Sequence, residues 1–313
     1  MTARFLFSAN YLKVCYNKPY KTKTEDIMDY SQILSQQFNI KEEYAKNIIA
    51  LLDDGNTIPF IARYRKEMHG SMDDQLIREF AEKLEYLRGL DKRRDEIRSL
   101  IDAQEKLTDE INLALDKAAT LSELEDIYRP YRPKRKTRAS IAKEKGLEPL
   151  ANDILKQEKG FDPSKSAVDY IDEEKGVTSV EDAIQGAMDI IAELVSDNAE
   201  IRKRIRNLTN ANGVLVSVAT DEEKDSVYKN YYDYKEPVKK IAGHRVLAVN
   251  RGEKEGFLKV SVETDSEKPL NSIFRAMITD KNQLCSDIIR EACTDAYQRL
   301  IYPSIEREVR NDL

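Results

Sequence analysis

From Asp73 to about Glu105 the chain carries apolar side chains at helical intervals: Leu76, Phe80, Leu84 and Leu87, then Ile97 and Ile101. That spacing lines one face of an α-helix. A helix of this length rises about 50 Å at roughly 1.5 Å per residue. Such a rod would form the backbone of an elongated body. The fold expected is mainly α, an elongated multi-helix array with one long helix. Charged side chains make up 35% of the sequence and hydrophobic ones 41%. That is enough apolar material for a core beneath the solvated faces of amphipathic helices.

Shorter helices flank the long one. Tyr30, Ile33, Leu34 and Phe38 share a helical face, and Asn39 with Glu42 has the spacing of a capping box. The helix it would open runs through Tyr44, Ile48, Ile49 and Leu52 and stops at Gly55. Pro59 suits a first helical turn, where a missing N–H costs nothing. Thr108 caps a helix holding Ile111 and Leu115, and Ser122 with Glu125 gives a second capping-box pattern. Further helices are expected up to Gly146, from Pro149, from Asp162–Pro163 and from Ser179, the last continuing to Gly213.

At Val214 the period changes to two. Val214, Val216 and Val218 alternate as in a strand, and Phe257 to Glu263 forms a matching run. Together they predict a small antiparallel β-ribbon near residues 214–263 around a helical segment, HRVLAVNRGEKEG, with helix again from Ser272 to the end. The chain is read as a helical domain over 28–212 and a mixed segment over 213–313. Residues 1–27 lack the helical period that begins just after them. They are either a disordered extension or sequence translated ahead of a true start at Met28.

Net charge is −6, from 51 basic and 57 acidic side chains. A dedicated nucleic-acid-binding domain carries a basic excess, since affinity comes largely from neutralised phosphates. Any grip on nucleic acid must therefore be local. The three cysteines, Cys15, Cys285 and Cys293, form no CxxC pair, and the only histidines are His69 and His244, both read as structural. Cys285 and Cys293, eight apart on one helical face, read as small buried side chains. Reduced thiols suit a cytoplasmic setting, and the longest apolar runs are too short to span a membrane. No phosphate-cradling loop, GxSxG or HExxH motif is present. No cofactor, metal or enzymatic activity is expected.

Three basic groups remain. The strongest is Arg129-Pro-Tyr-Arg-Pro-Lys-Arg-Lys-Thr-Arg138, where two prolines hold the chain extended. From Arg129 to Lys145 there are eight basic residues and one acid, Glu144. Extended backbone, cations and tyrosine are suited to tracking phosphates and stacking on bases. Arg129, Tyr131, Arg132, Lys134, Arg135, Lys136 and Arg138 are therefore the candidate nucleic-acid-binding residues. The alternative is an ordered inter-helix loop whose arginines pair with acidic helix ends. A second group, Arg202, Lys203 and Arg206, is expected on the outer, salt-bridged face of a helix whose Ile201 and Ile205 point inward. A third, Arg63, Arg65 and Lys66, accompanies Phe60 and Tyr64, whose rings are expected to pack against the long helix.

Three uncommon stretches, TIPFIARYRKEMHG, LEDIYRPYRPKRKTRASIAKEKGLEPLA and YYDYKEPVKKIAGHRVLAVNRGEKEGFLKV, occur in that order. They resemble signature segments of bacterial Tex proteins, RNA-binding transcriptional accessory proteins related to a eukaryotic transcription elongation factor. The resemblance runs from about Met28 to Leu313. It implies a helical N-terminal region followed, in the family, by an RNase H-like YqgF domain, a helix-hairpin-helix module and an OB-type RNA-binding domain. None of those is visible before Leu313, so the chain is expected to be either a fragment or a shortened paralogue. The resemblance further implies RNA or DNA as partner, mainly through the missing domains, with RNA polymerase or ribosome-associated proteins as candidate protein partners. A scaffold that binds only proteins is the second reading. A nuclease would need acidic metal ligands on a sheet that these residues do not supply.

Overall fold

The computed structural model describes residues 29–133, 135–279 and 281–313. The expectations for residues 1–27 and for Lys134 lie outside the described residues. The rest forms two compact units, one reaching to Lys92 and the other running from Arg93 to Leu313.

The first unit is built from α1 (Tyr30–Phe38), α2 (Glu42–Asp53), α3 (Ile58–Tyr64) and the start of α4 (Asp74–Asp102). Asp29 caps α1 by accepting from the N–H groups of Ser31 and Gln32. Asn39 does not open α2. It closes α1 in a left-handed conformation, φ 52°, and α2 starts after Lys41 with Glu42 and Glu43 near the positive end of its dipole. Leu34, Ile48, Ile61, Ile77 and Phe80 are fully buried and form the core. Gly70, at φ 65°, lets the chain turn back against the ring of Tyr44 before α4 begins.

The long helix is present as one 29-residue element, α4. Phe80, Leu84, Leu87, Ile97 and Ile101 are buried along it, joined by Ile77 and Leu90; Leu76 is half-buried. Arg94 also lies on the buried stripe and donates to the carbonyls of Leu115 and Ala118 at 2.9 and 3.0 Å. A guanidinium thus satisfies the end of the following helix.

In the second unit come α5 (Asp109–Lys117), α6 (Leu121–Tyr128), α7 (Arg138–Glu144), α8 (Glu148–Lys156), α9 (Pro163–Ala167), α10 (Val180–Asp197) and α11 (Ala199–Asn212). The capping of α6 lies two residues earlier than expected. Thr120 accepts from the Glu123 N–H, and the Glu123 carboxylate accepts from the Ala119 N–H. Glu125 is thereby free to pair elsewhere. Helix α10 is the hub, with α7, α8, α14 (Gln283–Asp295) and α9 packed around it. Its Gly186 gives Leu147 room that a Cβ would fill.

The sheet has three strands in the order β2-β1-β3, all antiparallel: β1 (Val214–Ala219), β2 (Asp233–Pro237) and β3 (Leu258–Glu263). The expected pairing of β1 with β3 is found, with Val214 opposite Glu263, and α12 (Gly243–Lys254) lies between them in sequence. The edge strand β2 was not expected. Its DYKEP sequence has no aliphatic residue, and an edge strand exposed along alternate positions needs none. The terminal helix begins earlier than Ser272, with α13 (Glu267–Met277), breaks before α14, and continues through a π-helical turn at Ala296–Ile301 into α15 (Tyr302–Asp312).

Cys285 and Cys293 are completely buried on α14, as expected. Burial pushes the Cys293 thiol up to about 12, with Arg290 opposing, and raises Cys285 as well. Thiolate is the reactive species, so a Cys15→Ser chain should resist a disulfide-exchange reagent at pH 8 until denatured, then titrate two thiols. Rapid native labelling of either would contradict this burial.

Candidate nucleic-acid interface

The loop that joins α6 to α7 is fixed at both ends. Its first end grows out of a buried charge network. Asp126, 2% exposed, accepts from Arg202 Nε through one oxygen and from Arg206 Nη2 at 2.6 Å through the other. Arg202 has no exposed surface and also donates to Ser304 at 2.8 Å and Glu308 at 2.9 Å. Arg206 reaches Glu308 as well, at 2.7 and 2.9 Å. Two arginines and two carboxylates thus tie α6, α11 and α15 together. Arg202 and Arg206 are not on the solvated face of α11: they continue the stripe of Ile201 and Ile205 inward, while Lys203 stays outside on Glu123. Four-residue spacing of Arg202 and Arg206 beside that isoleucine pair was the available signal. Their acidic partners, far off in sequence, were not identifiable.

Burial alone would raise the Glu308 carboxyl, but hydrogen bonding and charge from Arg206, with Arg202 and Ser304, hold it below its ordinary 4.5. A carboxylate so depressed stabilises the fold fully above 4.5, and that contribution is lost as pH falls through the folded value. The second unit should therefore lose stability progressively below pH 4.5. In Glu308→Gln the melting temperature should be lower at neutral pH and fall less on acidification. Parallel pH profiles for the two proteins would contradict the assignment.

Directly after this network the chain makes a 3₁₀ turn, Arg129–Tyr131. Arg129 opens it, and burial together with the charge of Arg202 pulls its guanidinium below the usual range, against Asp126, Asp197 and Glu308. Arg132 pairs with Glu125 and lies 5.5 Å from the centre of the Tyr128 ring. Arg93 lies 5.7 Å from the same ring and also bonds Glu125. The Tyr131 carbonyl accepts from Gln104 at 2.9 Å. At the other end Thr137 caps α7 through a capping box with Ser140, and its hydroxyl donates to Glu193 at 3.0 Å.

The cations between and just beyond these anchors face solvent. Arg135, Lys136 and Arg138 are exposed. No ion pair or hydrogen bond holds Arg135 among the described residues. Lys136 approaches Glu144 only at 3.8 Å, with both side chains about two-thirds exposed. Arg138 contributes charge to the neighbourhood of Asp189. The structure therefore leaves Arg135, Lys136 and Arg138 exposed and sets apart Arg129, half-buried beside the charge network, and Arg132, paired with Glu125. Tyr131 lines a cleft of about 580 Å³ with Leu113, Pro130, Glu110, Glu123, Asp126 and Glu200, which carries more acid than base. The cleft thus carries a local excess of negative charge and the loop a local excess of positive charge.

The third basic group departs from expectation. Ile61 is buried, but Phe60 and Tyr64 are exposed, as are Arg63, Arg65 and Lys66.

The class defined by these features is a helical scaffold with a small antiparallel sheet, presenting a basic loop anchored at both ends. Residues 28–102 match the Tex-like protein N-terminal domain, and residues 158–313 match the Tex central region-like family. The chain belongs to the Tex family. It is 43% identical over 293 residues to protein YdcI of Bacillus subtilis, covering 91% of this chain and 41% of that protein. It is 35% identical over 297 residues to the transcriptional accessory protein Tex of Neisseria gonorrhoeae, covering 91% and 38%. With the human S1 RNA-binding domain-containing protein 1 it shares 30% identity over 311 residues, covering 94% and 31%. The chain thus spans less than half the length of these relatives. The loop lies between the two matched regions. No helix among the described residues is long and apolar enough to cross a membrane.

Proposed function

We propose that this chain is the helical scaffold part of a transcription accessory protein, and that Arg135, Lys136 and Arg138 give it a direct, sequence-independent contact with nucleic-acid phosphates. The role is non-enzymatic and cytoplasmic. The observation that carries it is the contrast within one segment: Arg129 is half-buried, Arg132 pairs with Glu125 and Thr137 caps α7, whereas the exposed Arg135, Lys136 and Arg138 hold no ion pair closer than 3.8 Å among the described residues. A loop anchored at both ends loses less entropy when it binds than a free one, so each exposed cation contributes more. The names of relatives, which include a transcriptional accessory protein and an S1 RNA-binding domain-containing protein, agree with this reading. The chain's acidic net charge and acidic cleft support docking to protein partners of the transcription machinery, such as RNA polymerase, beside the phosphate contact.

Arg135→Glu/Lys136→Glu/Arg138→Glu tests the proposal. All three side chains are exposed, so the fold should be retained, and affinity for RNA or DNA at low salt should fall by about tenfold or more. Equal binding by the variant would sink the phosphate contact. Association with purified RNA polymerase that withstands nuclease and is unchanged in the variant would instead favour a scaffold acting only on proteins.

A further inference from the structure

Helix α3 leaves an unusual surface uncovered. Its single buried side chain is Ile61. Phe60 is 36% exposed and Tyr64 66% exposed, although buried aromatic rings such as Phe80, Tyr128 and Tyr297 are available as anchors elsewhere in the chain. The two rings are one helical turn apart, with centroids at 5.4 Å and a 41° tilt. The guanidinium of Arg65 lies 5.6 Å from the centre of the Phe60 ring. In a chain where Lys46, Arg88, Arg98 and Lys156 are all paired with carboxylates, Arg63, Arg65 and Lys66 hold no ion pair among the described residues. From Thr57 to Gly70 the sequence offers one acid, Glu67.

Paired aromatic faces cost burial energy when left in water, and unpaired cations beside them set the sign of what can cover them. A partner must bring flat apolar faces and regularly spaced negative charge together. Unpaired bases on a phosphodiester chain do so, whereas a duplex keeps its base faces stacked and hidden. We propose that the α3 surface is a second nucleic-acid contact, specific for single strands, in which Phe60 and Tyr64 stack on bases and Arg63, Arg65 and Lys66 reach the flanking phosphates. It belongs to the first compact unit and does not depend on the loop at Arg135–Arg138, so either contact can fail without the other.

The chain has no tryptophan, so Tyr64→Trp places a single indole emitter at an exposed position without disturbing the core. Titration of this full-length variant at low salt with short thymidine and uridine oligomers should quench its emission, and added salt should reverse the effect. An abasic oligomer of equal charge and a duplex should quench little. Adding Phe60→Leu should weaken the response by about tenfold, the scale of one lost base stack. Quenching should persist when Arg135→Glu/Lys136→Glu/Arg138→Glu is introduced. A difference between thymidine and uridine oligomers would assign the preferred strand. Unchanged emission with any single strand would overturn the proposal, as would equal quenching by the abasic oligomer or the duplex. A response to an acidic peptide and not to the oligomers would replace it with a protein-docking site.

Discussion

Asp126→Ala is expected to destabilise the Arg93–Leu313 unit by about 3–5 kcal/mol, the usual cost of removing one partner from a buried ion pair. The reason is asymmetry. Arg202 and Arg206 would stay inside, 0% and 8% exposed, with Glu308 the one carboxylate left to share between them and Ser304 a neutral partner for Arg202. For a unit of this size such a loss lowers the melting temperature by roughly 6–20 °C. Asp126→Asn keeps the volume and an acceptor and should fall between the two. The network need not be a large net source of stability, since a buried ion pair often does no better than a well-packed apolar substitute. Its contribution is to place the end of α6, and so the start of the loop, in one position. Calorimetry of both variants checks this: a change of less than about 0.5 kcal/mol for Asp126→Ala, the range of an ordinary surface substitution, would mean that the carboxylate is not holding the two arginines.

The second large effect belongs to the first unit. Phe80→Ala removes a ring that has no exposed surface and sits 5.3 Å from the ring of Phe38. Emptying such a site costs about 3–5 kcal/mol. A compact unit of this size has only about 3–9 kcal/mol of stability in all, so the substitution should bring it close to unfolding. Tyr30, Ile48 and Ile61 pack into the same core, so no local rearrangement keeps them covered. Hydrogen exchange read by mass spectrometry should show amides of α1, α2 and α3 losing protection. Protection equal to the parent protein there would contradict the packing described.

Much of this architecture was legible because the long helix and the β1–β3 pairing are set by period, which one sequence carries by itself. The misread positions are those where one residue type serves two purposes. Asn39 suits a helix start because its side chain accepts a hydrogen bond, and a helix end because it tolerates positive φ. Three residues later Glu42 looked like a capping partner in either case. Thr120 and Ser122 are equally good caps, and only the neighbouring Ala119 N–H, bound by Glu123, decides between them. Strand β2 lacked a hydrophobic signal because none of its positions is fully buried.

The site was less legible than the fold. That Arg129 is half-buried and Arg132 already paired depends on Asp126, Glu125 and Tyr128 nearby, and on Arg202 and Glu308 far along the chain. A run of basic letters cannot show which members have already found partners. Phe60 and Tyr64 failed in the opposite direction, since helical spacing suggested a buried pair and only the packing of α3 leaves them exposed.

The salt dependence of binding separates a phosphate contact from every other role for the loop. Each phosphate neutralised adds roughly 0.7–0.9 to the slope of log affinity against log salt. Between the parent chain and Arg135→Glu/Lys136→Glu/Arg138→Glu, measured on one RNA across a salt series, the slope should drop by about two to three. Identical slopes, with the variant folded, would show that these three exposed cations touch no phosphate.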